Sequence, residues 1–271
     1  MRIIERRCRG KRADRSLNED GLLVTDGFAV VADGVTSKSE RRPWRPSGGV
    51  VAKDLLLSTI ERLPPDSTMR DVQRAVDARF RAEYEAHALG ADFFAREPVE
   101  RLQVNAVVLS AAHREAWLFG DCQIMVNGVR TPTEKRVDEL LGRLRSFAAH
   151  ALMLQCDGNA VREDAAREMI MPFLRLQSRF ANRRGEYGYF VFDGFTDPTY
   201  PIRTVPVSPG DEVVLASDGY PLLRPTLAES ERELERLRRE DPMLIDEYRT
   251  TKGFEPGLDS FDDRTYLRLV V

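Results

Sequence analysis

Short apolar runs that end in acidic residues set the pattern of this chain. Residues 22–24 and 28–32 each read as a buried strand, and Thr25-Asp26-Gly27 between them predicts a hairpin turn. A hairpin brings its outer ends together, so Glu19 and Asp20 face Asp33 and Gly34 at one sheet edge. Residues 36–49 are polar, carry Pro43, Pro46 and Gly48-Gly49, and read as a loop leaving that edge. Apolar positions 51, 52, 55, 56 and 60 predict a helix over 50–63, which Pro64-Pro65 stops. Thr68 and Asp71 form a capping box opening a second helix through Val72, Val76, Phe80 and Tyr84.

Strand character returns over 103–111, 116–119 and 124–126, the last closed by Asn127-Gly128. Residues 133–182 then read as helical. Val137, Leu140, Leu141, Leu144, Phe147 and Ala151 form one stripe, Asp157-Gly158-Asn159 is a helix-to-helix turn, and 160–180 is a second segment kinked at Pro172. The last third predicts strands at 187–192, 202–207 and 212–216. A capping box at Thr226 and Glu229 opens a charged helix to about 240, and 266–271 is a terminal strand apolar enough to lie inside its sheet. No repeat or linker divides residues 1–271, which read as one domain with a helical insert at about 133–182.

Composition removes several function classes. A formal net charge of -3 gives no field favouring nucleic acid or an anionic membrane. Arg2, Arg6, Arg7, Arg9, Lys11 and Arg12 read as a solvated basic terminus. Cys8, Cys122 and Cys156 are isolated and odd in number, which argues against a disulfide framework or a structural zinc site. No apolar run approaches a membrane span and no signal core precedes the first strand, so a soluble, cytoplasmic protein is expected.

The chemistry lies where strands meet acids. Glu19-Asp20, Asp33-Gly34, Gly120-Asp121, Asp218-Gly219 and Asp262-Asp263 are five such junctions. Hard oxygen donors without His or Cys select Mg²⁺ or Mn²⁺, and glycine lets a backbone carbonyl approach an ion. A two-ion centre of this type activates water against a phosphoryl group without a Ser or Cys nucleophile.

R-S-L-N-E-D at 15–20, V-V-A-D-G at 30–34, G-D-C at 120–122, L-A-S-D-G at 215–219 and D-D-R-T at 262–265 resemble, in order, the metal-dependent protein phosphatases of the PP2C type. The motifs span nearly the whole chain. The resemblance implies an α+β fold, a four-layer αββα sandwich of two antiparallel sheets flanked by helices. It also implies a protein serine/threonine phosphatase with Mn²⁺ or Mg²⁺ as two ions, and a third, weaker ion at Asp121. By that resemblance Asp33 bridges the two metals and Gly34 offers its carbonyl. Asp218 and Asp262 complete the coordination of the first metal, Glu19 and Asp20 hold metal-bound waters directly or through one water, and Arg15 binds phosphate. The implied partner is a phosphoprotein substrate.

The chain departs from that family where D-G-x-G-G is usual: Asp33-Gly34 is followed by Val35-Thr36-Ser37. Val35 also stands where some members carry a histidine acid. These departures keep two alternatives open, a catalytically silent phospho-binding or regulatory module and a phosphatase of a small phosphorylated metabolite. His87, His113 and His150 are expected in structural or surface roles. Trp44, in the loop beside the acids, suits either substrate stacking or loop anchoring.

Overall fold

The structure is a computed structural model that describes residues 1–155 and 165–271. Cys156 and the expected turn at Asp157-Gly158-Asn159 lie outside the described residues. Strands are β1 (Arg2–Arg9), β2 (Asp20–Val24), β3 (Phe28–Gly34), β4 (Val104–Ser110), β5 (Glu115–Phe119), β6 (Gln123–Val126), β7 (Val129–Thr131), β8 (Arg203–Pro206), β9 (Glu212–Ala216) and β10 (Arg264–Val270). Helices are α1 (Gly48–Glu61), α2 (Met69–Ala86), α3 (Ala91–Arg96), α4 (Arg136–Gln155), α5 (Ala165–Leu176) and α6 (Leu227–Glu240). One sheet runs β1-β10-β9-β6-β7 and the other β2-β3-β4-β5-β8, with antiparallel neighbours throughout.

The two-residue period of β3 sorts its side chains between layers. Ala29 and Val31 join Val107, Leu215 and Leu267 between the two sheets. Phe28, Val30 and Ala32 point the other way, onto Leu56 and Ile60 of α1 and Val76 and Phe80 of α2. Beyond the first sheet, Val214 and Tyr266 pack with Tyr220 and Leu223, and α6 contributes Leu234 and Leu237 to an outer cluster. The result is the expected αββα sandwich. Both expected capping boxes close, at Thr68 with Asp71 and at Thr226 with Glu229.

Helices α4 and α5 pack against each other beside the sandwich. Val137 and Leu141 of α4 meet Ile170 and Leu174 of α5 over Tyr189 and Val191. Arg145, 1% exposed, donates from Nη1 to the carbonyls of Met243 and Thr250 at 2.8 and 3.1 Å, fixing α4 to the 243–250 segment. Pro172 stands inside α5 as expected.

Two expectations are corrected. The basic start is not a loose terminus: it forms edge strand β1 on β10, and Arg7 and Arg9 reach Glu231 and Asp259 at 2.8 and 2.6 Å. Residues 187–192 are not a strand and carry only isolated bridges, Ala181 to Tyr189 and Val104 to Phe192. The Asn182 amide takes the place of a neighbouring strand there. It donates to the Val191 carbonyl at 2.8 Å and accepts from the Val191 N–H at 3.2 Å.

Candidate functional site

The sandwich gathers the acidic strand ends at one rim. Asp20 and Asp33 are opposite partners in the β2–β3 register, and Asn105 lies across from Asp33 on β4. Asp218 follows β9 and Asp262 precedes β10, in the other sheet. Ser217 ties the two together: its Oγ donates to Asp20 Oδ2 at 2.6 Å and accepts from the Thr265 N–H at 2.9 Å. The rim borders a cleft of about 790 Å³, lined by Glu19, Asp33, Gly34, Asp121, Asp218 and Asp262 together with Lys38, Lys135 and Lys252. Asp138 and Arg143 of α4, Leu174 of α5 and Gln177 just after it form part of its wall.

Close backbone approach explains two of the glycines. A Cβ on Gly34 would lie 2.2 Å from the Gly49 carbonyl oxygen, and one on Gly49 would lie 2.6 Å from Glu19 Oε1. Gly48-Gly49, well after the aspartate, thus opens α1 against the site.

The acids fall into distinct electrostatic groups. Asp33 and Asp218 are electrostatic neighbours, and no lysine or arginine pairs with either in an ion pair among the described residues. Burial first, then the neighbouring charges of Asp218, Asp20 and Asp262, pushes the Asp33 carboxyl well above the usual range. Burial and the charges of Asp262 and Asp121 push Asp218 up to about 7. Asp20 is raised too, by burial above all, despite the hydrogen bond from Ser217.

The remaining acids have internal partners. Lys11 Nζ lies 2.8 Å from Asp262 Oδ1, and Lys252 Nζ pairs with Asp262 Oδ2. Burial alone would raise Asp262, but the two ammonium groups outweigh it and hold the carboxyl below its ordinary range. Lys135 Nζ lies 2.8 Å from Asp121 Oδ2, leaving Asp121 Oδ1 buried without a hydrogen-bond partner. Glu19 accepts from Ser47 Oγ on Oε1 at 2.7 Å and from Thr36 Oγ1 on Oε2. Asp263 accepts the N–H groups of Lys11 and Glu19 at 2.7 and 2.8 Å, stitching β10's approach to the segment before β2.

As they stand, no three His, Cys, Asp or Glu side chains among the described residues are arranged to hold a metal ion. The donor chemistry at Asp33 and Asp218 nevertheless fits a hard cation. No lysine or arginine forms an ion pair with either carboxyl among the described residues, Gly34 follows Asp33 directly, and three acceptor oxygens of the cleft lining are buried without donors. These are Asp121 Oδ1, Asn105 Oδ1 and Gln123 Oε1, from residues that line the cleft.

The structure therefore brings Glu19, Asp20, Asp33, Gly34, Asp121, Asp218 and Asp262 to one rim. It does not bring Arg15. That residue is exposed on the 3-10 turn Arg15–Leu17 and is absent from the cleft lining, where Lys38 and Lys252 supply positive charge instead. Burial, then Lys252 and Arg167, lowers Lys38 to about 8. Trp44 anchors its loop: it is buried, donates Nε1–H to the Glu100 carbonyl at 3.0 Å and packs on Tyr84, His87 and Phe94. His113 contacts the Asp66 carbonyl and His150 contacts Asp246, so none of the three histidines lines the cleft.

Sequence reasoning missed Lys11, Lys135, Lys252, Thr36 and Ser47. Thr36 alone carried a visible signal, as a hydroxyl residue where glycine was expected after Asp33-Gly34. Lys11 is separated from Asp262 by 251 residues, and Lys135 and Lys252 reach their acids across irregular segments with no periodic pattern to join them.

Comparison with solved structures finds similar folds over nearly the whole chain. The Mycobacterium tuberculosis serine/threonine phosphatase PstP/Ppp is 15% identical, with 97% of this chain and 96% of that chain covered and a TM-score of 0.48. The catalytic domain of PstP in complex with two manganese ions is 15% identical over 99% and 98%, TM-score 0.47. PppA of Pseudomonas aeruginosa, described as a key regulatory component of T6SS, is 16% identical over 100% of both chains, TM-score 0.46. No family model matches the sequence, and no curated protein matches it significantly.

Proposed function

We propose that this protein is a divalent-cation-dependent phosphomonoester hydrolase acting on phosphoserine or phosphothreonine in proteins, as a cytoplasmic enzyme. The observation that carries the proposal is the Asp33–Asp218 pair, two neighbouring carboxyls lining an open cleft, both held above the ordinary carboxylate range and neither in an ion pair with a lysine or arginine among the described residues. A phosphate dianion is repelled from such a floor until a cation neutralises it. Asp33 and Asp218, with the Gly34 carbonyl, would hold Mn²⁺ or Mg²⁺. When bound, the ion acts as a Lewis acid toward the phosphoryl group and makes water a nucleophile near neutral pH.

The chain's own residues do the rest. Lys38 stays cationic at pH 7 and, with Lys252, draws phosphoryl oxygens into the cleft. Asn105 and Gln123 present buried acceptor oxygens that can orient a water molecule. The α4–α5 wall mixes Asp138, Glu139 and Arg143 above the acids, a surface of both signs that suits a peptide flanking the phosphorylated residue.

Phosphate release from a panel of phosphopeptides and phosphorylated metabolites, with Mn²⁺ or with EDTA, tests the proposal. Mn²⁺-dependent release from the peptides supports it, and release from metabolites alone moves the substrate class.

One observation favours a second reading, the silent phospho-binding module. Both oxygens of Glu19 and both of Asp262 are already taken by side chains of the protein. Phosphopeptide binding by calorimetry, without phosphate release under any metal, would establish that reading instead.

A further inference from the structure

We infer that the centre takes one divalent ion, between Asp33 and Asp218, and that the ammonium groups of Lys11 and Lys252 stand permanently on Asp262 where a second cation would otherwise draw it in. The inference deepens the hydrolase reading and rests on it for the identity of the ion.

Lys11 is held in place rather than loosely oriented. It is 6% exposed, its N–H donates to Asp263 Oδ1 at 2.7 Å, and its carbonyl accepts from the Asp259 N–H at 2.8 Å. Its Nζ bonds Asp262 Oδ1 at 2.8 Å and also lies 3.9 Å from Asp263 Oδ2. Lys252 covers the other Asp262 oxygen. An ion seeking Asp262 would have to displace an ammonium from each side, leaving Lys11 buried without its nearest counter-charge.

Glu19 is closed in the same way. Ser47 Oγ, which holds Glu19 Oε1, also caps α1 by accepting the Val50 N–H at 3.2 Å, so moving it would uncap the helix. What stays open is the Asp33–Asp218 pair and the unpartnered oxygens of Asp121, Asn105 and Gln123. Asn105 and Gln123 are each 3% exposed, and both line the cleft. Acceptors without donors at this burial are what a single hard cation satisfies.

Mn²⁺ titration of the chelator-treated full chain, by calorimetry and electron paramagnetic resonance, tests the inference. Wild type is expected to bind one ion with the spectrum of an isolated Mn²⁺. Asp262→Asn should still bind one, and Asp33→Asn none at comparable concentration. The double variant Lys11→Met/Lys252→Met should bind two, with a spin-coupled spectrum. Should that variant fail to fold by circular dichroism, Asp262→Asn decides alone. Two ions in wild type, no ion in wild type, or loss of the ion in Asp262→Asn would each overturn the inference. One ion bound without turnover removes the hydrolase reading and leaves the stoichiometry standing, while two ions with turnover does the reverse.

Discussion

Lys11 Nζ lies 2.8 Å from Asp262 Oδ1, a contact that closes 251 residues of chain. Lys11 follows edge strand β1 and Asp262 precedes β10, the strand on which β1 pairs. The ion pair therefore fixes the ends of the sandwich and the charge of the site together. Removing one partner of a buried pair leaves the other charge under-compensated, at a cost of roughly 3 kcal/mol, softened here because Lys252 remains. Lys11→Met is expected to lower the urea midpoint accordingly, with an unchanged slope. A midpoint equal to wild type would show that the contact contributes nothing.

Gly34 is a steric requirement. A methyl at this position would stand 2.2 Å from the Gly49 oxygen and 2.8 Å from the Glu19 oxygen, both backbone atoms. Gly34→Ala should cost about 3 kcal/mol, in the range of core overpacking. It should also disturb the entry of α1. Thermal unfolding and amide exchange at the start of α1 check this, and a wild-type melting temperature would refute it.

A pH effect is expected from a group far from the cleft. Asp77 is buried on α2, accepts from Thr196 Oγ1, and has its other oxygen unpartnered among the described residues. Burial pushes its carboxyl up to about 6 from the ordinary 3.8. The folded state then holds the proton more tightly than the unfolded chain. Its contribution is fully present below the unfolded value and is lost as pH rises through about 6. Each pKa unit is about 1.4 kcal/mol, so the loss is on the order of 3 kcal/mol. Asp77→Asn should flatten the fall in stability between pH 4 and 7, approximately, in urea melts. An unaltered slope would assign the effect elsewhere.

Lys38 and Lys252 are among the cations that line the cleft, and Arg15 stands outside it. Lys38→Met is expected to lower kcat/KM for a phosphopeptide by about tenfold or more, the scale of losing one charge-assisted contact. Arg15→Ala should stay within about twofold. The opposite ranking would return the phosphate contact to Arg15.

The sandwich was legible because its signals are local. The apolar run 28–32 beside its hairpin turn, the capping boxes at Thr68 and Thr226, and the apolar strand at 266–271 each state their structure within a few residues. The rim of acids was legible for a similar reason, since each acid lies at or beside one end of a recognisable strand. β1 was not, because an edge strand with mostly exposed side chains shows no buried face to read. The false strand at 187–192 had suitable residues, but the partner facing it is the side chain of Asn182. The counter-charges Lys11, Lys135 and Lys252 were hidden because an ion pair across a fold leaves no periodic trace. Only the three-dimensional register of two sheets brings position 11 to position 262.

The most direct measurement of the central claim is hydrolysis of p-nitrophenyl phosphate across a Mn²⁺ titration, with wild type beside Asp33→Asn. The account predicts turnover that rises to saturation with Mn²⁺, disappears in EDTA, and is absent from the folded Asp33→Asn variant. Metal-independent turnover, or turnover that survives Asp33→Asn, would contradict the assignment of the Asp33–Asp218 pair as the site of the chemistry.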